Sequence, residues 1–147
     1  TRIFVMRPNP MITRGFLFAG AFNVIGVLVF SKFFTNSLLS SLDPTVMSRA
    51  GLGAILLWGL AYASVSRCYR SVPYLVLVFC LEKLYYTAAW LIWLSKKGDT
   101  LPALFSESPL TAMFYSMYGA GDFAFALFFL WVAVNTLRNP EIARTAG

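Results

Sequence analysis

Two adjacent ionisable residues, Glu82 and Lys83, sit halfway along an apolar stretch, SVPYLVLVFCLEKLYYTAAWLIWL, and Asp122 sits halfway along another, TAMFYSMYGAGDFAFALFFLWVAVNTL. An ionised side chain at the centre of a membrane helix costs roughly 2.5 to 3.5 kcal/mol on insertion scales, so such residues persist where partners or water meet them. Glu82 lies about eleven residues into its stretch and Asp122 about twelve into its own. At about 1.5 Å per residue along oppositely directed helices, both carboxylates fall near mid-depth and can share one site. Lys83 stands about 100° around the helix from Glu82 and is placed as a counter-ion to Asp122 or to a group on another chain.

The surrounding residues add hydrogen-bonding capacity. The Glu82 face carries Phe79, Tyr85, Tyr86 and Trp93 at helical spacing, and the Asp122 face carries Tyr115, Tyr118 and Gly119. The phenols Tyr85, Tyr86 and Tyr118 can donate to the acids in a dry core. Asn23, in the middle of the first apolar run, offers an amide for an interhelical hydrogen bond. Three uses of this polar layer are open. It can be a structural network that fixes helix register, within the chain or against a partner. It can line a pocket where Glu82 and Asp122 orient a small amphiphile, lipid, quinone or cationic molecule. It can also move protons or ions, a task that usually needs more polar residues along one path.

Other chemistry finds little footing. The chain contains no histidine, which removes the commonest general base and the commonest ligand for haem, copper and zinc. There is no CxxC, HExxH or GxSxG motif and no nucleotide-binding glycine loop. The Gly119, Gly121 pair in YGAGD marks close packing or a flexible point beside Asp122. No metal and no cofactor are expected. Carboxylates alone can support a membrane isomerase or hydrolase, but nothing in their spacing demands one.

These residues must be positioned by lipid-embedded helices. The 147 residues are 59% hydrophobic, 17% aromatic and 12% charged, against about 25% charged in soluble domains. The mean hydropathy is +0.69. A single integral membrane domain accounts for this balance. The net charge of +6 does not indicate nucleic acid, because the basic residues flank apolar runs and form no polar, aromatic-interleaved face. They hold loops on one side and meet anionic headgroups there. Cys68 and Cys80 are read as free thiols, since the second lies several turns inside a span.

The expected fold is an all-α, polytopic bundle of four transmembrane helices, with spans at about 13–34, 44–66, 72–94 and 110–137. The start, TRIFVMRPNPMITR, is basic and broken by Pro8 and Pro10. It reads as an extended or surface-lying arm to about Arg14, with no cleavable signal. Asp43 followed by Pro44 has the form of an N-cap with proline at the first helical position. The short basic turn Arg67 to Arg70 makes the second and third helices antiparallel neighbours. Trp90 and Trp93, with Lys96 and Lys97 beyond, have the pattern of an interfacial aromatic belt with cationic anchors. The piece LPALF reads as interfacial.

Arg2, Arg7, Arg14, Arg67, Arg70, Arg138 and Arg144 fall on one side of such a layout, and Lys32, Arg49, Lys96 and Lys97 on the other. The positive-inside rule then places both termini in the cytoplasm. In span number and loop length the layout is similar to several small bacterial membrane families, DoxX-like proteins among them; the likeness is one of architecture and size. The leading expectation is a non-catalytic accessory or assembly subunit of a larger membrane complex, in a bacterial cytoplasmic membrane. The alternatives are a binder or transporter of a hydrophobic or cationic molecule such as a lipid or quinone, and a quinone- or lipid-contacting enzyme subunit. Expected partners are the lipid bilayer and other membrane subunits, with no nucleic acid.

Overall fold

The structure, a computed structural model, describes residues 7–139, which are helical with no strand among them. Six α-helices follow in chain order: α1 (Pro10–Phe30), α2 (Ser37–Leu42), α3 (Arg49–Val65), α4 (Pro73–Lys97), α5 (Leu101–Glu107) and α6 (Pro109–Arg138). Three stretches, Pro10–Phe30, Pro73–Glu107 and Pro109–Arg138, are long and apolar enough to cross a membrane, whereas α3 is a shorter apolar helix.

Helix boundaries depart from the sequence reading where local hydrogen bonds outweigh hydropathy. The basic start was expected to remain an arm to about Arg14, yet α1 begins at Pro10. The Asn9 side chain accepts from Met11 N at 2.9 Å, and Pro10 occupies the first turn, where its missing donor costs nothing. Residues 1–6 of the expected arm lie outside the described residues. At the other end α1 stops at Phe30 instead of Phe34. Lys32, Phe33 and Phe34 adopt left-handed backbone conformations, with φ of 50°, 55° and 65°. Ser31 Oγ accepts from Phe34 N at 2.9 Å, and Asn36 Nδ2 donates to the Phe30 carbonyl at 3.0 Å, which closes the helix end.

The second long helix was expected to start at Asp43 and Pro44, but α3 starts at Arg49. Asp43 does cap a turn, with its Oδ1 accepting from Val46 N at 3.2 Å. The chain then redirects at Ser48, whose side chain accepts from Gly51 N at 3.0 Å and becomes the true N-cap. The Val46 carbonyl folds back against Gly51 so closely that no Cβ fits there.

The long helices alternate in direction and pack most extensively as two antiparallel pairs, α1 with α3 and α4 with α6. Small residues set the first contact: a Cβ on Gly20 would lie 2.7 Å from the Gly59 carbonyl oxygen. In the second pair the Trp90 indole lies flat over Gly119 and donates to the Tyr115 carbonyl at 2.8 Å. Trp93, 5% exposed, donates to the Leu42 carbonyl at 3.0 Å. Both tryptophans expected in an aromatic belt thus tie α4 to its neighbours, because their indole N–H groups find carbonyls inside the protein.

One end of the bundle is joined by Thr13 Oγ1 donating to the Ser66 carbonyl at 2.9 Å. There Phe16, Tyr62, Phe79 and Phe129 form an aromatic core with ring centroids 4.8 to 5.5 Å apart. The other end is capped by α2, whose Leu39 carbonyl accepts from Tyr115 Oη at 2.5 Å. Next to it α5, which contains the LPALF piece, packs on α6. Outward faces are apolar, with Leu57, Leu81, Leu91, Phe123 and Trp131 exposed. Cys68 is exposed and Cys80 buried, and both are free.

Candidate functional site

The middle of the bundle holds a buried lysine. Lys83 projects from the buried face of α4 and is 1% exposed. Its Nζ donates to Asp122 Oδ1 on α6 at 2.6 Å and to Asn23 Oδ1 on α1 at 2.7 Å. Around it stand the rings of Phe22, Tyr62 and Phe125, with centroids 5.4 to 5.7 Å from Nζ. The ring faces supply the remaining favourable field, and three helices converge on one ammonium group.

Each partner is itself fixed. Asn23 Nδ2 donates to the Ile55 carbonyl on α3 at 2.9 Å, so the amide connects α3, α1 and the ammonium in one chain. That accounts for the amide in an otherwise apolar helix, where an unpaired one would be strongly unfavourable. One turn along from Lys83, Thr87 Oγ1 lies 2.9 Å from the Lys83 carbonyl and 3.4 Å from the Gly119 carbonyl. It bridges the helix pair that carries the ions.

Glu82 takes a different direction from the one expected. It does not share a site with Asp122 by direct contact; its Oε2 accepts a hydrogen bond from Tyr62 Oη on α3, and its Oε1 is buried without a partner. The 100° step between neighbouring helical residues separates the two charges of the pair: Lys83 turns to α1 and α6, Glu82 to α3. Tyr62, 0% exposed, was not singled out from the sequence, because in the run GLAYASV it reads as a core aromatic. Its signal is modest, a phenol on the helix immediately before the acid.

The other phenols also separate. Tyr85 is 68% exposed and stacks edge-on with the half-buried Tyr86 on the outside of α4. Tyr115 donates to α2 and not to an acid. Tyr118 is 6% exposed, and its hydroxyl is buried without a hydrogen-bond partner. The glycines of YGAGD mark close packing: Gly119 receives the Trp90 ring and Gly121 the edge of Phe22. Among the described residues, no group of three histidine, cysteine, aspartate or glutamate side chains is placed to hold a metal ion.

Beside the ion pair runs a groove of about 550 Å³ between α1 and α6. Its walls are apolar, including Phe18, Ile25, Met113 and Met117, all of which are exposed at its mouth. Ile55 of α3 and Met47 lie deeper, and the Phe30 and Phe114 rings, 5.5 Å apart, flank one end. Its polar lining is contributed by Asn23, Tyr118 and Asp122. The groove opens on the apolar flank of the bundle, so its entrance would face acyl chains. No sequence pattern announces it, since its walls come from helices almost ninety residues apart in the chain.

No protein-family model matches the chain, and no curated protein or solved structure matches it.

Proposed function

We propose that the chain is a four-span integral membrane protein that binds one hydrophobic molecule in the groove between α1 and α6, with Asp122 and Tyr118 at its polar floor. The observation that carries this reading is the groove itself. Its size falls within the roughly 300 to 1,000 Å³ of small-molecule sites, and it combines apolar walls with a few convergent polar groups. Four spans follow if α3 crosses as well. Its 17 residues extend about 25 Å at 1.5 Å per residue, and the flanking turns complete the path. The excess of Arg and Lys on the side of the 67–70 turn supports cytoplasmic termini, in a bacterial cytoplasmic membrane.

Gly26 provides the test. It lines the groove, and a Cβ there meets nothing within 4 Å. Gly26→Leu therefore places a bulky side chain in the groove, starting from a Cβ in open space. Purification of both proteins in mild detergent, followed by mass spectrometry of extracted lipids and isoprenoids, should find one species enriched with the wild type and lost with Gly26→Leu. Identical extracts from the two proteins would overturn the reading.

An accessory subunit of a larger membrane complex is the second reading. It is supported by the short connections, which leave almost no domain outside the bundle, and by the apolar face of α6 at Phe123, Leu127, Leu130 and Trp131. That face can receive a partner helix as readily as lipid. Co-purification of a stoichiometric membrane protein, released by Leu127→Arg, would favour it; a homogeneous and stable lone monomer would count against it.

A further inference from the structure

We infer that the groove holds one tail of a glycerophospholipid from the leaflet on the α2 side, with the lipid phosphate bound by Arg49 at that end of the bundle. The inference rests on the groove reading above and specifies its ligand and orientation. The first observation is how far the groove runs. Its lining extends from Phe18 to Phe30 on α1 and from Met113 to Asp122 on α6, about 18 Å and about 14 Å at 1.5 Å per residue. No residue of α1 before Phe18 and none of α6 after Asp122 contributes. The groove therefore reaches from mid-depth to the end where α2 and α5 lie, the length of one leaflet in a hydrocarbon core of about 30 Å.

The second is that the polar groups at the deep end are committed within the protein. Asp122 Oδ1 receives Lys83, the Asn23 amide joins Lys83 to the Ile55 carbonyl, and the Tyr118 hydroxyl is closed off by its neighbours. A charged head drawn to that depth would lose its hydration with no free counter-charge to meet it. The end of an acyl chain suits this position, and the head belongs at the other end.

The third is a polar recess of about 300 Å³ at that other end, whose lining includes Asn36, Ser37, Ser40 and Arg49. Asn36 sets it against the end of the groove. Its Nδ2 donates to the carbonyl of Phe30, a groove residue, at 3.0 Å and to Thr111 Oγ1, two residues before Met113, at 3.0 Å. Arg49 is exposed and forms no ion pair among the described residues. The acids of this end, Asp43, Asp99 and Glu107, do not line the recess, and Asp43 accepts from Val46 N. The Ser37 and Ser40 hydroxyls have no hydrogen-bond partner among the described residues, whereas Ser41 Oγ donates to the Leu38 carbonyl. A guanidinium fork beside two uncommitted hydroxyls suits a phosphodiester, whose anionic oxygens take the fork and whose ester oxygens accept from the serines. A carboxylate has two oxygens, which the fork alone would occupy.

The test uses phosphatidylglycerol carrying a diazirine either beside the ester or at the chain terminus, with the full chain in dodecyl maltoside micelles. Saturable labelling, located by mass spectrometry, should fall on Val27 to Phe30 for the first probe and on Phe18 to Phe22 for the second. Unlabelled phosphatidylglycerol should compete about tenfold better than diacylglycerol or fatty acid with the same tails, the worth of one charge-assisted hydrogen bond. Glycerol 3-phosphate, which has no tail, should not compete. Arg49→Gln should remove the preference for phosphatidylglycerol and leave competition by diacylglycerol unchanged. Gly26→Leu should abolish labelling by both probes. A reversed labelling order, equal competition by diacylglycerol or fatty acid, competition by glycerol 3-phosphate, or an unaltered preference in Arg49→Gln each overturns the inference and leaves the groove reading standing. Absence of saturable labelling by either probe overturns both. Should Arg49→Gln fail to fold, the labelling order and the competition on the wild type still decide.

Discussion

Lys83 Nζ lies 2.6 Å from Asp122 Oδ1, and the two residues are 1% and 7% exposed. They belong to α4 and α6, the most extensively packed helix pair, so one ionic contact fixes the register of that pair. Removing either partner leaves a charge stranded in a dry interior, which costs about 3 to 5 kcal/mol in buried pairs. Lys83→Met or Asp122→Leu alone should lower stability by that amount, measured by SDS titration in mixed micelles with circular dichroism. The double substitution should recover most of the loss. Strictly additive losses would show that the two charges are not coupled.

The α1 and α3 contact depends on Gly59. A methyl there would lie 2.7 Å from Asn23 Cβ and 2.9 Å from the Gly20 carbonyl oxygen, both on a packed helix with no space to yield. Gly59→Ala should force the helices apart, stretch the Asn23 to Ile55 hydrogen bond and cost about 1 to 3 kcal/mol. Gly53→Ala, where nothing lies within 4 Å, is the control and should be neutral or slightly stabilising. Equal effects at the two positions would contradict the close approach.

Two phenols on one face of α6 should respond differently to loss of the hydroxyl. Tyr115→Phe deletes the bond to the Leu39 carbonyl and strands that carbonyl in the core, a loss of about 1 to 2 kcal/mol. Tyr118→Phe deletes a hydroxyl that has no partner and should be neutral or stabilising in ligand-free detergent. Thermal unfolding followed by tryptophan fluorescence distinguishes them, and a destabilised Tyr118→Phe would mean that its hydroxyl is engaged.

The left-handed turn after α1 carries strain of about 1 to 2 kcal/mol at each non-glycine residue. Lys32, exposed and with φ of 50°, is the simplest place to release it. Lys32→Gly should stabilise the protein by about 1 kcal/mol, after the larger chain entropy of glycine in the unfolded state is subtracted. Destabilisation in the same micelle titration would contradict the turn geometry.

The membrane helices and the ions that matter were legible in the residues themselves. Long apolar runs imply helices because backbone groups in lipid must hydrogen-bond within their own segment. A charge in the middle of such a run implies a partner at the same depth, and depth is readable from residue counts; that logic set Glu82 and Asp122 at one level with Lys83 as a counter-ion, whereas the packing pairs Lys83 with Asp122 and Asn23 and turns Glu82 to Tyr62. Boundaries were less legible. Asp43 and Ser48 are both good caps, and the choice of Ser48 depends on the Val46 carbonyl folding against Gly51.

What the tertiary structure alone decided is which way each polar group faces. Tyr62 takes Glu82, Tyr115 takes Leu39, Tyr85 turns outward and Tyr118 keeps a free hydroxyl. These outcomes depend on the rotation of each helix about its axis, set by contacts such as Gly20 on Gly59 and Trp90 on Gly119. Depth follows from position along a helix and is written in the sequence, whereas azimuth and the groove between α1 and α6 arise only when the helices pack against one another.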